Sequence, residues 1–459
     1  VTGTLLQQPR RAKLELYGMI SSGEKDIRVP ATYRNIRLIF AHSIERKHSM
    51  QDQIRSAVAN AADEARDFLK DMIRFESTPG NEQEIIWFCN GAFAKAGCEC
   101  HLVPITDDIK NDPEYSWSDV ELSYDGRANL VAFRRGSGGG KSVILQSHVD
   151  VVPGGDWDEA FTPIDDGSFV IGRGALDAKG QVAAIWLAMK ALNEINFAPR
   201  GEIQAQIVIE EENGGNGALD LIRKGYKADV ALVMEGSDLQ IHPANRGAIW
   251  FRIEIEGNPT HMGRKYEGIS AIDLAYKVIQ ALYEYEKVLI ADSANYPGFE
   301  RYNNPVQVNI GILNAGTWPS MVAGNAVIEG GIGFLPNRSM EQVKREVLEV
   351  IRRIDDPWLQ EHFKLSFPKL HNDSYEIDYS HPAVIALQEA CRAAGLASEV
   401  FGWNVSCDAR LYAKIGGMPT IVFGPGSITE AHARGEKIDF NDVVKAAEAV
   451  ARFVITWCG

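Results

Sequence analysis

The stretch Ser142-Val-Ile-Leu-Gln-Ser-His148-Val-Asp150, followed after a gap by Gly172-Arg-Gly-Ala-Leu-Asp177-Ala-Lys-Gly180, decides how the rest of the chain is read. Val143 to Leu145 is a short apolar run of strand character, so His148 and Asp150 fall where a strand gives way to a loop. In an open α/β sheet that edge is where ligands bind. Side chains two residues apart lie on the same side of an extended backbone. A metal-bound imidazole usually gives its second N–H to a carboxylate, the part predicted here for Asp150. Asp177 follows a glycine turn and opens a predicted helix, Val182 to Ile195, from which it can offer an oxygen to the same cation or bridge two. His-x-Asp alone specifies little, because most histidines are structural or surface residues. Support has to come from other strand ends.

Working outward, Ile203 to Ile209 reads as a strand that runs into Glu210-Glu211-Glu212-Asn-Gly-Gly-Asn-Gly217 and a helix, Ala218 to Lys224. Ala228 to Met234 is another apolar strand and ends on Glu235. Upstream, helical spacing covers Ile54 to Phe75 and Asn81 to Gly97, and Cys100 to Ile105 and Ala128 to Arg135 read as strands. Strands alternating with helices predict a mostly parallel sheet covered on both faces. Gly136-Ser-Gly-Gly-Gly-Lys-Ser142 resembles a phosphate loop, but it is one residue short and leads into a strand where that mechanism needs a helix N-terminus. A hairpin turn is predicted there instead.

The pattern then changes. Ala248 to Glu256 alternates, Ile269 to Val288 is helical, Val306 to Leu313 and Ala326 to Phe334 are strands, Met340 to Ile354 is helical, and Phe363 to Phe367 is a strand. That order, β-α-β-β-α-β, is a ferredoxin-like unit. From His381 the first pattern returns, with a strand at Thr420 to Phe423, a loop holding His432 and a terminal helix from Asn441. The predicted fold is α/β: a discontinuous first domain, residues 50–246 and 369–459, interrupted by a ferredoxin-like domain at 247–368.

A chain of 459 residues fits two domains. Its net charge of -15 argues against nucleic acid or an anionic membrane as partner. The six cysteines show no zinc-ribbon spacing, and there is neither a signal-peptide core nor an apolar run long enough to span a bilayer, so a cytoplasmic location is expected. Residues 1–49 differ from the rest, with nine Lys or Arg against four Asp or Glu. They are expected to be an upstream segment with Met50 as the functional start, the alternative being a natural basic extension, and no function is assigned to them.

His148, Asp177, Glu211, Glu212, Glu235 and His432 thus gather at strand ends or loops of one domain. Imidazole nitrogen and carboxylate oxygen suit zinc, and catalytic zinc sites keep one position open for water. From Met50 onward, the order of these motifs and the interrupting domain resemble the M20 family of metallopeptidases and deacylases, in particular its acetylornithine deacetylase and succinyl-diaminopimelate desuccinylase branch. The resemblance implies two divalent cations, zinc first, with cobalt or manganese as alternatives. It makes His148 and Glu235 ligands of one cation, Glu212 and His432 ligands of the other, Asp177 the bridge and Asp150 the orienting carboxylate. Glu211 becomes the general base, although the count along the three glutamates can slip by one, to Glu210 and Glu211. The interrupting domain resembles the family's lid and dimerisation domain. His261, in Gly-Asn-Pro-Thr-His-Met-Gly, matches a histidine that reaches a neighbouring subunit's site to stabilise an oxyanion. Arg410, in Ser-Cys-Asp-Ala-Arg-Leu, matches a guanidinium that meets a substrate carboxylate, a surface ion pair being the alternative.

The sequence also departs from the family's pattern. Ala178 stands where a second acidic residue is common, Ser320-Met-Val-Ala-Gly replaces the usual Asn-Val-Val-Pro-Asp, and Gly333 sits where many members carry arginine. These touch substrate choice rather than the cation ligands. The expected activity is metal-assisted hydrolysis of an amide in an N-acyl amino acid or related small N-acyl amine, by a homodimer. The alternatives are a metallocarboxypeptidase or dipeptidase using the same site, and a non-catalytic binding relative that would have no use for a positioned Glu211.

Overall fold

The computed structural model describes Met50 and residues 52–118 and 121–459. The expectations for residues 1–49 lie outside the described residues. Ile54 to Gly459 form one compact unit. Two helices open it, α1 (Ala62–Ile73) and α2 (Gln83–Lys95). The single helix predicted from Ile54 is interrupted, because Ala61 forms a turn between residues 54–60 and α1.

The central sheet then builds from β1 (Glu99–Pro104), β2 (Ala128–Arg134), β3 (Val143–His148), β4 (Ile203–Val208) and β5 (Ala231–Val233), with helices α3 (Gly180–Glu194) and α4 (Asn216–Arg223) in the connections. Every residue of β3 and β4 is buried, as for strands covered on both faces. Helix α3 is buried on almost every side, which accounts for its apolar sequence having no polar stripe.

After β5 the chain enters a second sheet: β6 (Gly247–Glu256), helix α5 (Ala271–Ser293), β7 (Gln307–Ala315), β8 (Asn325–Phe334), helix α6 (Met340–Arg352) and β9 (Phe363–Ser366). Its order is β7-β8-β6-β9, antiparallel throughout. Ile249, Phe251, Ile253 and Ile255 alternate inward on β6 and share a core with Leu274, Val278 and Leu282 of α5 and Val343 and Val347 of α6. Ser270 and Ser339 cap these helices by accepting N–H bonds from Asp273 and Gln342. The chain enters and leaves this sheet along paired segments, Ala244–Asn245 against Tyr375–Glu376.

The last part returns to the first sheet through α7 (Pro382–Ala393), β10 (Thr420–Val422) and α8 (Phe440–Cys458), which packs on α3. The completed sheet runs β1-β2-β4-β3-β5-β10, parallel from β4 to β10 with β1 and β2 antiparallel at one edge. The carboxyl ends of the parallel strands therefore share one rim. No helix among the described residues is long and apolar enough to cross a membrane.

The glycine-rich link at 136–142 is not a hairpin turn. β2 and β3 do not pair, because β4 lies between them and bonds to both. The link instead crosses the end of β4 in close contact with the chain entering that strand. A Cβ on Gly201 would stand 1.8 Å from the Lys141 carbonyl oxygen, and one on Gly140 would stand 2.3 Å from the Gly201 nitrogen. Gly201→Ala should consequently destabilise the protein by about 1–3 kcal/mol, read as a lowered urea midpoint with unchanged slope. An unchanged midpoint would contradict this crossing.

Candidate metal centre

The rim assembles the site from five connections. His148 is the last residue of β3, Glu211 and Glu212 follow β4, Glu235 follows β5, and His432 lies beyond β10. Asp177 sits in the tight turn just before α3, a turn held from outside by Glu436. Glu436 Oε1 accepts the N–H groups of Leu176 (2.9 Å) and Asp177 (3.1 Å), while Glu436 Oε2 is paired with Arg173 at 2.6 Å.

Two groups of side chains share Asp177. His148 Nε2 is 3.1 Å from Asp177 Oδ1 and 3.9 Å from Glu235 Oε1. His432 Nε2 is 3.2 Å from Asp177 Oδ2 and 3.1 Å from Glu212 Oε1. In each triad the donor atoms lie within 4.8 Å of one another. His148 and Glu235 are buried, Glu212 is partly open and His432 is exposed. The donor sets, one imidazole and two carboxylates each, are those of borderline divalent cations, and Glu235 Oε1 is buried with no hydrogen-bond partner of its own. The residues fit two cations bridged by Asp177.

Asp150 lies against His148 Nδ1 and has a second set of partners. His148 Nδ1 meets the Asp150 backbone carbonyl at 3.0 Å and its carboxylate at 3.4 Å. The carboxylate also accepts the N–H of Glu211 on Oδ1 (3.1 Å) and of Glu212 on Oδ2 (3.0 Å). It ties the glutamate turn to the histidine strand. Glu210 is fully buried against Arg127 and Tyr124 and belongs to neither triad.

The electrostatics are those of crowded acids in a dry place. Burial pushes Glu211 and Glu235 well above the usual carboxylate range, and their neighbours Asp408, Glu212 and Asp177 add to it. Burial likewise takes Glu212 up to about 7, with Asp177 adding to it, and takes Asp408 up to about 7 with Asp150 adding to it. Burial also works against charge on Asp177 and His148, but hydrogen bonds prevail there. His148 and His432 hold Asp177 below its ordinary value, and Asp150 and Asp177 hold His148 above its own. Hydrogen bonds to Asp177 and Glu212 raise His432 to about 10.

Two residues of this neighbourhood had no local signal in the sequence. Asp408 is buried beside the glycine turn and accepts a hydrogen bond from Gln146 Nε2 at 2.9 Å. Glu436 belongs to the same Thr-Glu-Ala-His-Ala-Arg-Gly-Glu run as His432, and that shared run was its only mark. Arg410 is buried, with Nη1 3.2 Å from Glu114 Oε2 and Nη2 donating to the Gly214 carbonyl at 3.2 Å. His261 is exposed and accepts the Gly263 N–H; its loop is held by Val322 N–H on the Thr260 carbonyl and Met262 N–H on that of Ser320. None of these contacts involves the two triads. The space at Gly333 is filled from both sides of β8, where a Cβ would meet Gln307 Oε1 of β7 at 3.0 Å and Nη1 of Arg246, just before β6, at 3.1 Å.

Residues 144–456 match the sequence profile of peptidase family M20/M25/M40. The chain belongs to that family. It is a hydrolase of amide bonds, like the relatives to which it is similar. An N-formyl-4-amino-5-aminomethyl-2-methylpyrimidine deformylase of Bacillus subtilis is 29% identical over 362 residues, covering 73% of this chain and 84% of the relative. An acetylornithine deacetylase of Vibrio cholerae is 25% identical over 348 residues, covering 74% and 87%. Among solved structures, a tripeptidase of Staphylococcus aureus superposes with a TM-score of 0.68 at 20% identity over 86% of this chain and 98% of that one. A dinuclear metal binding peptidase from M20 family, of Bacillus subtilis, does so with a TM-score of 0.62 at 17% identity over 87% and 99%. These last two likenesses bear on the fold.

In the cation-free protein at pH 7, His432 carries a proton, because its pKa lies near 10. Hydrogen bonds to Asp150 and Asp177 raise the proton affinity of His148 as well, against its burial. A cation must displace those protons, so loading should acidify a weakly buffered solution, and apparent affinity should rise with pH towards about 10. Potentiometric titration with zinc chloride checks this. Uptake without proton release would contradict the ligand roles of the two histidines.

Proposed function

We propose that this M20 hydrolase removes a small acyl group, such as formyl or acetyl, from a small amine or amino acid, using two divalent cations, zinc first. The observation that carries the reading is the pair of triads sharing Asp177 with Glu211 beside them. His148 and Glu235 would hold one cation and Glu212 and His432 the other. When bound, such cations polarise the amide carbonyl and make a water acidic. Glu211, held in a buried acidic neighbourhood and partly open to solvent, takes a proton from the attacking water and returns it to the leaving amine. Its raised proton affinity suits both halves of that task. Asp150 keeps the glutamate turn in register with His148 while this happens.

The names of the curated relatives support the acyl-amine reading, since both remove an acyl group from an amine. The departure at Gly333 bears on which amine. Arg246 and Gln307 occupy that space and border a pocket of about 420 Å³ on the open face of the second sheet, beside Trp250 and Asn309. Substrate selection is assigned to this face. The second sheet is further proposed to be a separate lid and dimerisation domain, residues 247–368. In support, β7 is an edge strand carrying exposed Ile312 and Leu313, and Trp318 is 69% exposed nearby. His261 would then reach the site of the partner subunit and stabilise the oxyanion.

The substrate class is tested by amine release from N-formyl, N-acetyl and N-succinyl amines beside simple dipeptides, with metal-replete and chelated enzyme. Chelator-sensitive release from an acyl class supports the proposal, and cleavage of dipeptides alone overturns it in favour of a dipeptidase. The roles in trans are tested by mixing two variants. Glu211→Ala and His261→Ala should each lose most turnover while keeping metal. Reassembled together, they should recover about a quarter of wild-type activity, since half the dimers are mixed and each has one intact site. No recovery on mixing would exclude a His261 that acts across the dimer.

A further inference from the structure

Glu210 has a backbone φ of 61°, in the left-handed region that favours glycine, yet it is a fully buried glutamate. Its carboxylate is enclosed by specific partners. Tyr124 donates its hydroxyl to Oε2 at 2.6 Å, Asn216 Nδ2 donates to the same oxygen at 2.8 Å, and Arg127 Nη2 lies 2.6 Å from Oε1. Arg127 is in turn gripped by Glu82, with Nε to Oε2 at 3.1 Å and Nη2 to Oε1 at 2.7 Å, and its guanidinium lies 5.0 Å from the centre of the Tyr124 ring. Glu82 is itself fully buried and accepts the Gly80 N–H at 2.9 Å. A glycine would satisfy the backbone at position 210 with less strain. The glutamate is explained by what its carboxylate holds.

What it holds is the start of the turn that carries Glu211 and Glu212. The Glu210 carbonyl accepts the Gly215 N–H at 2.8 Å and the Glu211 carbonyl accepts the Gly214 N–H at 2.7 Å, closing the turn. With Glu210 pinned in the left-handed region, the next two N–H groups reach the two oxygens of Asp150, and the side chains of Glu211 and Glu212 face the cluster. We infer that Glu210, through the buried chain Glu82, Arg127 and Tyr124, is a positioning residue that sets the aim of Glu211 and Glu212. The inference rests on the roles given to those two glutamates in the proposed function. It also predicts selectivity between the two cation sites. The Asp177, Glu212, His432 triad depends on this turn, whereas the His148, Asp177, Glu235 triad takes no ligand from it. A general loss of structure would weaken both.

The test is calorimetric titration of chelator-stripped protein with zinc chloride, for wild type, Glu210→Gly, Glu210→Gln and Arg127→Met, with kcat and KM measured alongside. Glu210→Gly keeps the backbone comfortable and removes only the anchor. It should weaken one of the two zinc sites at least tenfold, leave the other within twofold, and lower kcat at least tenfold with KM within twofold. Glu210→Gln, which keeps an oxygen for Tyr124, should recover part of both losses, and Arg127→Met should reproduce them from outside the turn. Equal weakening of both zinc sites, or wild-type zinc binding and kcat in both Glu210→Gly and Arg127→Met, would overturn the inference. Should the charged cluster prove necessary for folding, Tyr124→Phe removes only the hydroxyl, which donates to Glu210 Oε2 and lies 3.2 Å from the Tyr115 hydroxyl, and should shift the same site in the same direction; no shift there counts against it. If the wild type released no amine from any substrate, the functional reading would fall while the zinc titrations still decided the positioning role.

Discussion

The sharing of Asp177 between His148 and His432 is the constraint on which the rest depends. One carboxylate, 3.1 Å from one imidazole and 3.2 Å from the other, has to be presented with both oxygens free and facing opposite ways. The chain uses a tight turn ahead of α3, and Glu436 takes the two N–H groups that the turn leaves unpaired. Around this carboxylate, Asp150, Glu211, Glu212, Glu235 and Asp408 crowd into a largely buried volume, with the two histidines and Arg410 among the cationic groups that face them. Such a concentration of acid is costly when dry and is relieved by divalent charge.

The scaffold meets that demand by placing the triad residues at separate, rigid strand ends and loops. β3, β4, β5 and β10 run parallel and end on the same rim, so residues far apart in sequence arrive with fixed spacing. The polar groups behind them are paired in turn. Asp150 joins β3 to the glutamate turn, Gln146 meets Asp408, and Arg410 spans Glu114 and the Gly214 carbonyl. Arg410 so placed holds the turn at the Gly214 carbonyl.

The members of the two triads could be singled out in the sequence because several of them carry a local mark. His148 and Glu235 terminate apolar runs, Asp177 lies in a glycine-flanked turn, and the order of motifs resembles one family, to which the chain proves to belong. The alternating pattern of β6 likewise announced a sheet with one buried face. What stayed hidden was non-local. Three consecutive glutamates look alike until the left-handed backbone and the Arg127 pairing single out Glu210. The glycine link at 136–142 reads as a hairpin because nothing nearby says that a strand sixty residues later will lie between its neighbours. Asp408 and Glu436 act on residues more than two hundred positions away, and no spacing rule reaches that far.

The account turns on Asp177 as the shared ligand, and metal content of single variants tests it most directly. Asp177→Asn, purified in excess zinc and analysed for bound metal after gel filtration, should lose both cations, whereas Glu235→Ala and Glu212→Ala should each lose one. Two zinc ions retained per chain in Asp177→Asn, with a normal thermal transition, would contradict the bridge and with it the arrangement built around it.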